Sequence, residues 1–191
     1  MKIIPTSLPG VVVIEPKVFS DPRGHFLETY HQTRYREAGI DAVFVQDNLS
    51  FSVRGTLRGL HFQVTRPQAK LVQVIAGEVF DVAVDIRPGS SSFGNWIGER
   101  LSAENHRQLF IPPGFAHGFC VISQTAHFLY KCSEFYAPHD EGGILWSDPD
   151  IGIHWPITDP IVSGKDAAHP GLFALTPRQL FSPAHPGENR S

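Results

Sequence analysis

AKLVQVIAGEVFDVAVDI, residues 69–86, is the stretch that decides the fold. Gly77 and Glu78 divide it into two apolar runs. In the second run Phe80, Val82, Val84 and Ile86 alternate with Val79, Asp81, Ala83 and Asp85. Successive side chains of a strand point to opposite faces. A period of two therefore marks a β-strand with one apolar face and one face that carries Asp81 and Asp85. A glycine followed by a charged residue between two such runs predicts a hairpin turn at 77–78.

The same texture extends outward in both directions. Residues 10–19 (GVVVIEPKVF), 24–30 (GHFLETY), 42–53 (AVFVQDNLSFSV) and 56–63 (TLRGLHFQ) precede the central stretch. Residues 96–103 (WIGERLSA), 107–122 (RQLFIPPGFAHGFCVI) and 126–137 (AHFLYKCSEFYA) follow it. Each is rich in β-branched or aromatic residues and is punctuated by Gly, Pro, Asn or Ser. Helical signal is confined to residues 31–39, closed by Gly39, and to residues 163–168, opened by Ser163. Many short strands in one chain of this length predict an all-β domain, a sandwich or jelly-roll barrel with a few short helices. No repeat or linker interrupts residues 1–175, which are read as a single domain. Residues 176–191 form a Pro-rich polar tail whose last ten or so residues are expected to be loose.

Composition narrows the function. Of 191 residues, 41% are hydrophobic and 18% charged, a globular balance. The net charge of −3 offers no basic surface for nucleic acid. A polyanionic small ligand would have to be met by a few placed cations. Cys120 and Cys132 are too few for a disulfide framework, which suits a reducing, cytoplasmic setting. No stretch approaches the roughly 20 apolar residues of a membrane span, and no signal-peptide pattern opens the chain.

Two motifs carry the chemistry. Metal-binding cupins, a jelly-roll superfamily, place Gly, five residues, His, one residue and His in a first motif. A Glu follows, then six residues to a Gly. Their second motif is Pro, one residue, Gly, two residues, His. The chain resembles this frame at Gly55, His61, Gly77, Pro112, Gly114 and His117. It departs at Gln63, where the second His would stand, and at Lys70, where the Glu would stand. An ammonium is no ligand for a cation, and the His61–His117 pair alone is a poor metal site. The frame thus predicts a cupin that has exchanged metal for acid–base residues, with no metal or organic cofactor.

Histidine gains and loses protons near neutrality and is commonly oriented by a carboxylate. Asp81, Asp85 and Asp166 are the candidates for that partner, and spacing does not choose among them. Lys70 would stabilise an oxyanion. Tyr130 and Tyr136 are expected on one strand face, where a phenol can serve as an acid. A base, a cation and an acid suit proton removal beside a ketone, with an enolate held by the cation and reprotonated from the other face. Taken singly, His61 is as readily a hydrogen-bonded core histidine, and the tyrosines are ordinary strand aromatics.

Across about residues 3–175 the chain resembles the dTDP-4-dehydrorhamnose 3,5-epimerases. The blocks that carry the resemblance are EPKVFSDPRGHFLETY, FVQDNLS, LRGLHFQ, AKLVQVIAGEVFDVAVDIR, LSAENHRQLFIPPGFAHGF, FLYKCSEFYAPHDEGGILWSDPDIGIHWP and SGKDAAHP. The resemblance implies that His61 is the base, paired with Asp166, that Tyr130 is the acid and that Lys70 stabilises the enolate oxygen at C4. It implies substrate contacts from Arg58 and His117. It further implies nucleotide-sugar contacts from Arg23, Glu28, Gln46, Asn48, Glu141 and Lys165, and stacking of Tyr136 on thymine. The implied substrate is a dTDP-linked 4-keto-6-deoxy sugar, inverted at C3 and C5 without a cofactor. The implied assembly is a homodimer with exchanged N-terminal strands, so that Phe19, Arg23 or Glu28 serves the neighbouring site. A mono-epimerase acting at C3 or C5 alone and a non-catalytic nucleotide-sugar-binding cupin are the competing readings.

Overall fold

The computed structural model describes residues 1–181. Two antiparallel sheets face each other. In spatial order the first contains β1 (Lys2–Pro5), β2 (Val12–Glu15), β10 (Gln108–Ile111), β7 (Lys70–Ala76), β12 (Thr125–Cys132) and β5 (Gln46–Val53). The second runs β13 (Glu141–Gly143), β6 (Thr56–Gln63), β11 (Phe115–Val121), β8 (Glu78–Asp85) and β9 (Trp96–Ser102), with the two-residue β14 (Ile161–Val162) parallel to β6. A separate hairpin, β3 (Val18–Asp21) with β4 (Gly24–Leu27), pairs with neither sheet. The two short helices fall where the sequence places them. α1 is Gln32–Glu37, followed by Gly39 at φ +90°, and α2 is Gly164–Ala167, with the Ser163 side chain accepting the Asp166 N–H.

The core lies between the sheets. Val72, Val74, Leu109 and Phe128 from the first sheet meet Val79, Ala83, Leu101 and Phe119 from the second. Burial of each of these Val, Leu and Phe side chains contributes roughly 1.5–3 kcal/mol. The outer face of the second sheet, with Leu60, Phe62, Val82 and Val84, is covered by Ile151, Trp155, Leu172 and Leu180. Packing thus continues past residue 175 to Leu180, which is 2% exposed. The loose end expected for the last ten residues lies outside the described residues.

Residues 77–78 are not a hairpin turn. β7 lies between β10 and β12 in one sheet, and β8 between β11 and β9 in the other. The chain crosses between the layers at Gly77, whose φ is +82° and where a Cβ would strike the Thr125 carbonyl oxygen. Alternation identifies each strand but is blind to its neighbours. The Asp81–Asp85 face is turned inward. Both residues are fully buried, because the face they share with Val79 and Ala83 is the inner one. Asp85 is satisfied by Arg87, Ser90 and Ser92, whose donors lie 2.6–2.9 Å from its oxygens.

One irregularity builds the site. Opposite β11, His61 pairs with His117 and Arg58 with Phe119, so three residues on β6 span two on β11. This bulge reverses the alternation, and Arg58 and His61, three apart, line the same cavity. Gly59 makes it possible. Its φ is +128°, and a Cβ there would sit 2.6 Å from Gly118 Cα and 2.8 Å from the His117 carbonyl oxygen.

Candidate active site

A cavity of about 560 Å³ opens between the sheets, adjoined by a second of about 300 Å³. His61, Lys70, Tyr130, Tyr136 and Glu141 line both. Strand pairing explains the grouping. Lys70 stands opposite Cys132 and Val72 opposite Tyr130, while Gln46 and Asn48 of β5 face Cys132 and Tyr130 from the other side. The inner face of the first sheet thus presents Lys70, Tyr130, Gln46 and Asn48. The second sheet presents Arg58, His61, His117 and Asp81 across the gap.

His61 Nε2 lies 2.7 Å from Asp166 Oδ1, and Asp166 Oδ2 accepts the Gly59 N–H at 3.2 Å. Burial by itself would raise the Asp166 carboxyl. The hydrogen bond and charge of His61, with the Gly59 amide, outweigh it and hold the group below the usual carboxylate range. An ionised Asp166 makes Nε2 the protonated nitrogen of neutral His61 and leaves Nδ1 as the acceptor. Of the three carboxylates open on spacing, geometry therefore selects Asp166. Asp81 lies 2.9 Å from His117 Nε2 instead, and Asp85 belongs to the Arg87 loop. Burial pushes the Asp81 carboxyl up and the His117 imidazole down.

Lys70 and Tyr130 reach the cavity with no hydrogen-bond partner for ammonium or hydroxyl among the described residues. Burial lowers the Lys70 ammonium, opposed by the negative charges of Asp81 and Glu141. Burial raises the Tyr130 phenol, so it holds its proton. Arg58 donates from Nε to Ser52 Oγ at 3.1 Å, an anchor the sequence reading missed and for which it carries no signal.

At the mouth, Glu141 accepts from Lys165 Nζ at 2.6 Å and from the Tyr136 hydroxyl at 2.7 Å. Burial would raise the Glu141 carboxyl, but these two donors hold it low. Tyr136 does not share a strand face with Tyr130. β12 ends at Cys132, and Tyr136 sits in the following loop, half exposed, its N–H bonded to Gln46 Oε1 at 2.9 Å. Gln63 is structural. Its amide group donates to the Arg66 carbonyl and its oxygen accepts the Ala137 N–H, tying two loops together. Arg23 and Glu28 are not brought to the cavity of their own chain. Arg23 pairs with Asp21 on the isolated hairpin, and Glu28 pairs with Arg34. His169, three residues after Asp166 and absent from the sequence reading of the site, lies 3.8 Å from it.

The sequence model of the dTDP-4-dehydrorhamnose 3,5-epimerase family matches residues 5–173. The chain is 55% identical over 168 residues to the dTDP-4-dehydrorhamnose 3,5-epimerase of Methanothermobacter thermautotrophicus, covering 86% of this chain and 91% of that protein. It superposes with a TM-score of 0.92 and 50% identity on the crystal structure of a dTDP-6-deoxy-D-glucose-3,5-epimerase from Legionella pneumophila in complex with dTDP-4-keto-L-rhamnose. The match covers 94% of this chain and 97% of that one. A dTDP-4-dehydrorhamnose 3-epimerase of Streptomyces niveus is 44% identical over 168 residues, 87% of this chain and 81% of that protein. With the family model matched over most of its length and relatives above half identity, the chain belongs to the dTDP-4-dehydrorhamnose 3,5-epimerase family.

Proposed function

We propose that this protein converts dTDP-4-dehydro-6-deoxy-D-glucose to dTDP-4-dehydro-L-rhamnose, in the cytoplasm, by inverting C3 and C5. The observation that carries the reading is the opposition of His61, on one sheet and paired with Asp166 of α2, to Lys70 and Tyr130 on the other, across one cavity. His61 Nδ1 takes the proton from the carbon next to the C4 ketone. The C–H electrons form the carbon–carbon double bond, and the carbonyl becomes an enolate oxyanion. Asp166 balances the imidazolium. Lys70, desolvated by burial and without a hydrogen-bond partner among the described residues, gains a direct counter-charge when the oxyanion forms, so its contribution falls on the transition state rather than on substrate binding. Tyr130 then returns a proton from the opposite face. Once His61 has released its proton to solvent and Tyr130 has regained one, a second round inverts the other carbon, and the two rounds, at C3 and C5, give the product with no redox change.

In this reading Arg58 and His117 hold the sugar and diphosphate. Gln46, Asn48, Glu141 and Lys165 bind the nucleotide end, where Tyr136 stacks on the base. Arg23 and Glu28 are supplied by a second copy in a homodimer that exchanges N-terminal strands. Support for a dimer comes from the unpaired hairpin, with Phe19 and Phe26 exposed, and from the apolar outer face of β5, where Leu49, Phe51 and Val53 are about half exposed. Light scattering that gives the mass of a single chain would remove Arg23 and Glu28 from the site.

The test of the reaction is turnover in D2O followed by NMR. His61 releases the removed proton to solvent and Tyr130 is reprotonated from it, so the product takes label from solvent. Deuterium at both C3 and C5 is the expected result. Label at one carbon would place the protein with mono-epimerases, a reading favoured by the Streptomyces niveus relative. No label would overturn the epimerase reading and leave a nucleotide-sugar-binding cupin.

A further inference from the structure

His169 has no part in the epimerisation described above, yet it is placed with care. It follows α2 directly, and its ring rests on Gly143 of β13, where a Cβ would collide with it. Its Nε2 is buried and lacks a hydrogen-bond partner among the described residues, a costly state for a polar atom. That nitrogen lies 3.8 Å from Asp166 Oδ1, the same oxygen that His61 Nε2 approaches at 2.7 Å. Ligand atoms of the three residues all lie within 4.8 Å of one another.

We propose that His61, Asp166 and His169 form an inhibitory zinc site behind the base. The donor set of two imidazoles and one carboxylate suits Zn²⁺. Bonds of 2.0–2.2 Å in a tetrahedral site put ligand atoms about 3.3 Å apart. The separations of 2.7 and 3.8 Å straddle that value, and the widest pair closes by about 1.5 Å at most, a movement within reach of side-chain rotation. His61 and Asp166 line the cavity, so the fourth position opens toward it. Of the charged groups nearby, Glu141 favours a cation there, and Lys165 is already engaged by Glu141.

The consequence rests on the reading of His61 as the base. Zinc takes the Nε2 lone pair, and the ring proton that Nε2 carried passes to Nδ1. The nitrogen that would accept the substrate proton is then already protonated, so the ion blocks turnover without occupying the sugar site.

Untagged protein, stripped with EDTA, is titrated with ZnCl2 by isothermal calorimetry, and turnover is measured over the same ZnCl2 series. Expected are one saturable ion per chain, loss of turnover in step with occupancy and recovery with excess EDTA. His169→Gln should retain turnover in EDTA and bind zinc at least about tenfold more weakly, the scale of loss when even an indirect contact to a metal is removed. His61→Ala should weaken zinc binding as well, independently of turnover. Absence of saturable binding overturns the proposal. So does unchanged affinity in both variants, or undiminished zinc inhibition of His169→Gln. Calorimetry decides the site even if the sugar nucleotide proves not to be the substrate.

Discussion

Asp166→Asn tests the geometry at its centre. The substitution keeps volume and shape but replaces one oxygen by an amide NH2. In the native arrangement one carboxylate oxygen accepts from His61 Nε2 at 2.7 Å and the other accepts the Gly59 N–H at 3.2 Å. Asparagine cannot satisfy both. If its oxygen faces Gly59, its NH2 donates to His61 Nε2, and the ring proton is forced onto Nδ1, the nitrogen that accepts the substrate proton in the proposed reaction. If its oxygen faces His61, two donors confront each other at Gly59. The charge effect adds to this. At 2.7 Å and an effective dielectric near 20, the imidazolium–carboxylate attraction is about 6 kcal/mol, and the net value of a charge-assisted hydrogen bond is about 1.5–3 kcal/mol. These bounds, at 1.36 kcal/mol per decade, span roughly tenfold to more than ten-thousandfold in rate. The tautomer argument puts the loss in the upper half, about a thousandfold or more. Raising the pH should not restore it, because the proton on Nδ1 is held by the tautomer. The assay is deuterium incorporation at C3 and C5 with dTDP affinity measured alongside, and affinity should be unchanged. A folded Asp166→Asn protein with less than a tenfold loss would refute the pairing of His61 and Asp166 as the proton-accepting unit.

Tyr130→Phe removes the proposed acid but leaves the proposed base. The enolate can then be reprotonated only from the face of His61, so exchange should continue while inversion falls by about 10²-fold or more, the usual contribution of a positioned acid. Unimpaired formation of epimer in NMR would exclude Tyr130. Lys70→Met should lower kcat by about 10²–10³, as for loss of an oxyanion donor, with little change in dTDP binding. An effect limited to KM would count against the enolate role. Asp85 lies outside the site, and its carboxyl is held at about 2 by Arg87, Ser92 and Ser90 against the raising effect of burial. A carboxyl depressed on folding adds stability above its unfolded value and loses it as the pH falls through the folded one. Asp85→Asn should therefore cost about 2 kcal/mol in urea unfolding at pH 5–7, and the gap should close between pH 4 and 2. A gap that persists at pH 2 would assign the loss to packing.

The class of fold and most of the residues that line the cavity were legible in the sequence. Period-two alternation is a local property of the chain, so 79–86 read as a strand without knowledge of its neighbours. Ser163 and Gly39 marked helix ends for the same reason, since capping involves residues only three or four apart. The Gly55–His61–Lys70–Gly77 spacing carried the site because cupin-like strands fix those intervals. The tertiary structure alone decided what depends on strands meeting across the sandwich. It turned Gly77 from a hairpin into a crossing between layers and set the Asp81 face inward. Through a bulge that exists only against β11, it brought Arg58 and His61 to one surface. It also divided the three candidate carboxylates among His61, His117 and Arg87. Those pairings join residues up to 105 positions apart, and no periodicity of a single segment encodes which of two antiparallel neighbours a strand will take.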